Sequence, residues 1–227
     1  MFRKELFILC SLIVAIFAGV AIVSSLMARA LQHESQMVAR TTLPGLVNAG
    51  AAINRMNDNW ENVQLLAQIP SAEARTNLMQ NIRANTTEDL WKEYRKSIFD
   101  RRDKILFEQT QISRTNYLVL VYHYYDLVNA QKLDEAGQLL KANVLPAFDE
   151  YKRNATSLFN LNTETGEKRA QHIIQLTRWL PLIAGFFCVV VFSMGVFIGL
   201  KGAFGSLVFA SQPRKHPKNA QPPHSLG

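Results

Sequence analysis

Residues Trp179 to Leu200 read WLPLIAGFFCVVVFSMGVFIGL, twenty-two residues without a charge, bracketed by Arg178 and Lys201. At about 1.5 Å of rise per residue a helix of this length covers about 33 Å, enough to cross a bilayer core. A buried helix of a soluble domain seldom needs so long an uninterrupted run. The stretch therefore predicts a transmembrane helix over 179–200, and the other apolar run becomes a candidate second span. Residues 6–28, LFILCSLIVAIFAGVAIVSSLMA, follow Arg3 and Lys4. Ala28-Arg29-Ala30 has the form of a cleavage site, but the apolar part exceeds the roughly 7 to 15 residues of a signal peptide. It reads as an uncleaved anchor, a second span.

Two spans change the meaning of the charge. The net +7 would suggest nucleic acid if it were spread evenly. Residues 29–178 hold nineteen Lys/Arg and seventeen Asp/Glu, so they are nearly neutral. The excess lies beside the apolar runs: Arg3 and Lys4 before the first, Lys201, Arg214, Lys215 and Lys218 after the second. This is the positive-inside pattern rather than a nucleic-acid footprint. It predicts a short cytoplasmic N-terminus (1–5), an exported domain (29–178) and a basic, Pro-rich, disordered cytoplasmic tail (201–227). Both cysteines, Cys10 and Cys188, fall inside the apolar runs, so no structural disulfide is expected.

The exported region reads as helical throughout. Leu46, Ala49, Ile53, Met56, Trp60, Val63 and Ala67 recur at alternating steps of three and four, a heptad seam. The seam stops at Ile69-Pro70, because the residue before proline is pushed out of the helical region. Ser71 then caps a second helix expected over 71–98. A break at Phe99-Asp100 precedes a third over 101–130, in which the β-favouring run Tyr117–Tyr125 is overridden by its helical flanks. Asp134 is expected to cap a fourth, with Val144, Phe148, Tyr151, Ala155 and Leu158 on its seam. Pro146 must kink this helix or begin a restarted one. Leu43-Pro44-Gly45 should bend the first.

Short turns between four helices predict an all-α, up-down-up-down bundle, its first and last helices continuous with the spans. The outer helices are longer than the middle two, so a two-helix stem is expected over 29–42 and 162–178. Its inward positions are polar: Thr42, Asn162, Thr165, Arg169 and His172.

Several short stretches sharpen this plan. They are Leu43-Pro44, Ile82 through Leu90-Trp91-Lys92-Glu93-Tyr94, Tyr117, Asp134-Glu135-Ala136, Val144-Leu145-Pro146-Ala147 and Leu158-Phe159-Asn160-Leu161-Asn162. In order and spacing the chain resembles the four-helix-bundle sensor domain of methyl-accepting chemotaxis proteins, over about residues 5 to 200. The resemblance implies a sensory input module in a bacterial inner membrane, with its bundle in the periplasm. Such receptors continue into a HAMP linker and a cytoplasmic coiled coil. Here a Gly-interrupted apolar stretch and residues 211–227 follow Leu200, so the expectation is an input module and not a complete receptor.

No catalytic constellation is visible, neither a nucleophile elbow, a zinc-protease motif, a phosphate loop nor paired cysteines, and no cofactor is expected. The resemblance implies a small anion or amino acid as ligand. Arg55, Asn59 and Asn62, beside the first-helix seam, are the candidates, though a solvated helix face explains them as well. Tyr122, with His123, Tyr124 and Tyr125, is either part of an aromatic ligand box or packed against Trp60. His33 and His172 should sit at similar height on the stem; they are weak metal candidates, and two solvated histidines is the plainer reading. Ser11, Ala15 and Gly19, and again Gly195 and Gly199, recur at four-residue steps that let membrane helices approach closely. They point to a parallel homodimer or to contact with a second membrane receptor or signalling protein, within membrane lipid. The competing reading is a helical scaffold without sensing, or the remnant of a truncated receptor.

Overall fold

The computed structural model describes residues 2–210. Helix α1 spans Phe2–Met37 and passes through a π-helical turn, Val38–Thr42, into α2, Leu43–Leu65. A single 3-10 turn, Leu66–Gln68, ends it. Then come α3 (Ala72–Ala84), α4 (Glu88–Arg95), α5 (Arg101–Asn129) and α6 (Leu133–Leu139). A second π turn, Leu140–Val144, leads into α7, Leu145–Ala210. No strand occurs among the described residues. The fold is an all-α four-helix bundle whose first and last helices run on into the two apolar segments. Residues 201–210, expected to begin the tail, continue α7 as helix, while 211–227 lie outside the described residues.

The chain forms two compact units, each with its own logic. In the first unit, among the described side chains of residues 10–26 and 178–197, many large apolar groups face outward. Val14, Ile22, Leu26, Phe186, Val189 and Phe192 are each exposed over more than half their surface. Leaving such a side chain in water forfeits about 1.5–3 kcal/mol, so these faces need an apolar surrounding. Both helices are long and apolar enough to cross a membrane, with mean hydropathy 2.4 and none of the apolar window buried.

The second unit, Met27–Thr177, is the bundle. Its first helix buries Thr42, Gly45, Ala49, Ala52, Met56, Asn59, Val63 and Leu66. The period is the expected one, but every second position lies one residue earlier than predicted. Ala49, Met56 and Val63 are shared; Gly45, Ala52, Asn59 and Leu66 replace Leu46, Ile53, Trp60 and Ala67. Small residues at the seam let the neighbouring helices approach, and the larger Ile53 and Trp60 pack half-buried along its flank.

Helix ends follow local chemistry. Ile69 is extended before Pro70, and the Ser71 hydroxyl accepts the Ala74 N–H at 3.3 Å. Asp100 caps α5 by accepting the Asp103 N–H at 2.8 Å. α5 ends on Gln131, held at φ 59°, where the Gln131 and Lys132 N–H groups bond back to Val128 and Leu127. The next helix starts on Lys132, not on Asp134, which sits in its first turn where a negative charge favours the exposed N–H groups.

Pro44 and Pro146 have the same solution. In an α-helix each ring would strike the carbonyl four residues back. Here the preceding π turn adds a residue: Leu43 N–H reaches Val38 O and Leu145 N–H reaches Leu140 O. Neither proline ends its helix.

One feature was not expected. The second bundle helix is not continuous over 71–98 but opens at Asn85, Thr86 and Thr87, between α3 and α4.

Candidate functional site

The break frees backbone carbonyls that an intact helix would satisfy. Two side chains of α2 take over. Asn59 Nδ2 donates to Asn85 O at 2.7 Å, and Arg55 donates to Thr86 O at 2.6 Å and to Asp89 at 2.7 Å. Asn59 is buried for this reason. The Arg55–Asp89 pair is largely exposed and contributes little by itself; the bond to Thr86 O satisfies a carbonyl that the break leaves free.

Thr87 turns inward. Its hydroxyl meets Tyr151 Oη at 2.9 Å and accepts from Arg114 Nε at 3.2 Å. Trp91 Nε1 donates to the same Tyr151 oxygen at 2.8 Å, and Arg114 pairs with Glu88 at 2.7 Å. Burial raises the Tyr151 phenol, and the bonds from Thr87 and Trp91 pull it back.

A narrow cleft opens beside this network, with a volume of about 30 Å³, room for a water or two. It is bounded by α2, α3, the break, α5 and Tyr151 of α7. Met56, Met79, Ile82 and Val121 give apolar walls. Tyr117, 4 % exposed, lines it too, and its hydroxyl has no hydrogen-bond partner among the described residues. Burial, chiefly, drives the Tyr117 phenol well above its ordinary pKa, so it remains a neutral donor. At the mouth the Arg83 guanidinium lies 5.1 Å from the centre of the Tyr122 ring.

Of the residues singled out in the sequence, Asn59 and Tyr122 line this cleft and Arg55 bonds to its rim. Asn62 is half-buried on α2 and makes no side-chain hydrogen bond among the described residues. The Trp60 ring stacks on Phe148, with ring centres 4.4 Å apart, and meets Tyr117 at 6.5 Å. Arg83, Thr87, Arg114 and Tyr151 were not singled out as site residues. The run Asn85-Thr86-Thr87 followed by Glu88-Asp89 is a turn-and-restart signal that would have drawn attention to them.

A second polar cluster lies at the other end of the bundle. Tyr94 Oη donates to Asp103 at 2.6 Å and accepts from Asn162 Nδ2 at 2.7 Å; Phe99 N–H donates to the other Asp103 oxygen at 3.2 Å. Burial raises the Asp103 carboxyl against these bonds, which lower it. Nearby on the stem, Glu34 contacts Arg169 at 3.2 Å and His172 at 3.3 Å. His33 is exposed, and no three metal-ligating side chains come together among the described residues.

In the apolar unit, Ser11 and Ala15 are exposed, and a methyl group added at Gly19 or Gly195 would meet nothing within 4 Å. The surroundings of Gly199 fall outside the described side chains. Ile16, Phe17 and Val20 line a groove together with Ala184, Phe187, Cys188 and Val191.

A family model described as a four helix bundle sensory module for signal transduction matches residues 3–176. No curated protein and no solved structure matches the chain.

Proposed function

Because the chain belongs to the family of four-helix-bundle sensory modules for signal transduction, we propose that it is a membrane-anchored, chemoreceptor-like input module. It spans a bacterial inner membrane twice, with both termini in the cytoplasm and the bundle outside. The bundle binds a small ligand or a protein partner and passes a helix displacement inward. The observation that carries this reading is continuity: α1 and α7 belong both to the bundle and to the outward-facing apolar segments, without a loop between. A change of packing in the bundle then passes along helices that no loop interrupts. The basic flanks Arg3, Lys4 and Lys201 support the orientation. A binding event of modest differential affinity suffices if two packings are close in energy.

Two measurements test it. A reporter active only outside the cytoplasm is expected to work when inserted after Pro70 and to stay silent at Gly227. Residues 1–200, fused ahead of the cytoplasmic signalling half of a chemoreceptor, are expected to make kinase output respond to the composition of the medium. A reporter active at Gly227, or an output indifferent to every medium, would remove the topology or the sensing respectively.

A further inference from the structure

The groove in the apolar unit has the room that the cleft at the helix break lacks. Its volume is about 390 Å³, and α1 and α7 share its lining. Ile16, Phe17 and Val20 line it from α1; the small Ala184 and Cys188 and the bulky Phe187 and Phe192 line it from α7. Ala184 to Phe192 is eight residues of helix, about 12 Å. No charged or amide side chain lines the groove among the described residues, so water would find no partners there. Left empty, it would deprive both walls of their dispersion contacts. A further helix does not fit: at about 10 Å across it fills about 900 Å³ over the same length, more than twice the groove. Close approach of membrane helices also relies on small residues at the contact. Phe17 and Phe192, each exposed over more than half its surface, keep another backbone away. A single hydrocarbon chain has the width, the length and the lack of polarity that the groove asks for.

We propose that this groove is a binding site for one hydrocarbon tail of a membrane phospholipid, seated between α1 and α7. Ala184 lies six residues of helix, about 9 Å, past the exposed Arg178. The tail therefore belongs to a lipid of the leaflet on the Arg178 side, and long basic side chains reach toward phosphate at that level. A tail in the groove touches protein on two sides, where a lipid beside the outward faces touches it on one. That difference makes it a site and not general solvation. The inference rests on the membrane-spanning reading and deepens it. The tail lies against both helices that carry the proposed displacement, so the bilayer's own hydrocarbon takes part in setting their packing.

The test uses the full chain in nanodiscs of phosphatidylcholine and phosphatidylglycerol, doped with a phosphatidylcholine that carries a diazirine midway along one tail. After illumination the adducts are mapped by mass spectrometry. Phe17, Ala184 and Val191 in the groove are expected to be labelled about threefold more often than the outward-facing Val14, Ile22 and Val189. Ala184→Phe with Cys188→Phe fills the groove and should bring Phe17 down to the outward level, whereas Val189→Phe should not. Both variants are expected to leave the unfolding temperature of the bundle unchanged, since none of these residues belongs to it. Equal labelling of groove and outward positions in the native chain overturns the proposal, as does undiminished labelling of Phe17 in the filled variant. A disulfide between Cys188 of two copies, formed by mild oxidation of a Cys10→Ala chain, would seat a second copy in the groove and overturn it too. Labelling of the outward positions without the groove removes this site alone; labelling of neither removes the membrane-spanning reading with it.

Discussion

Gly45 on α2 faces Asn162 on α7 so closely that a methyl group on Gly45 would collide with the Asn162 carboxamide, 3.0 Å from its Cγ. Asn162 cannot easily yield. It is fully buried and its amide nitrogen holds both Tyr94 Oη and Leu158 O. Gly45→Ala gains about 1 kcal/mol of helix propensity and meets overpacking of about 1–3 kcal/mol. We expect a net loss of stability in the single variant. With Asn162→Ala in the background, the same change should become stabilising. A double-mutant cycle by chemical denaturation checks this, and additive effects would show that the two residues do not meet.

Asp103 makes stability depend on acidity in an uncommon direction. Its folded pKa is raised by burial above the unfolded value, so the folded state holds the proton more tightly. The stabilising contribution is complete below the unfolded pKa of about 4 and is lost as pH rises through the folded pKa. Asp103→Asn removes this titration and leaves one acceptor oxygen where two accept from Tyr94 and Phe99. Melting temperatures measured between pH 8 and pH 4 should show the wild type gaining on the variant as pH falls. Parallel curves would mean that Asp103 titrates alike in both states.

Gln131 offers a test of the backbone. At φ 59° it occupies the left-handed region that closes α5. A side chain there costs about 1–2 kcal/mol that glycine avoids. Gln131→Gly is therefore expected to stabilise the bundle by about 1 kcal/mol, less the added freedom of the unfolded chain. An unchanged or lower denaturation midpoint would contradict the left-handed closure.

How much of this was legible in the sequence depends on what each residue competes with. Ser71 was readable as a cap because an oxygen side chain before a polar first turn has one dominant local use. The seam of α2 was readable in period but not in phase. Ranking by hydrophobicity selects Ile53 and Trp60, whereas the packed core took Ala52 and Asn59, since close approach between helices rewards small size. Asn59 could not be placed because its burial depends on Asn85 O, a carbonyl freed twenty-six residues away. The unpaired hydroxyl of Tyr117 was invisible for a related reason: every core tyrosine looks alike until its partners are counted. The two long apolar helices were the easiest to read, because length and lack of charge are the property itself.

The small-residue steps in the apolar unit carry a proposal of their own, a parallel homodimer. Ala15 is exposed and Gly19 has open space where a Cβ would be. Ala15→Leu with Gly19→Leu should weaken association in a membrane two-hybrid assay by about 1–2 kcal/mol. The same pair should leave the denaturation midpoint of the bundle unchanged, as neither residue belongs to it. Unaltered association would take this face out of any dimer.

The π turn ahead of Pro44 makes residue count, and not only residue type, a specified quantity. An α-helix advances about 100° and 1.5 Å per residue. Excising any one residue from Val38–Thr42 would swing the preceding helix by about that angle, carrying Glu34 away from Arg169 and His172 while altering no side chain that contacts them. A substitution scan through this turn would find it permissive outside the buried Thr42; a scan of one-residue deletions and insertions would find it closed. The chain here measures length as a vernier does, and its tolerance is less than one residue.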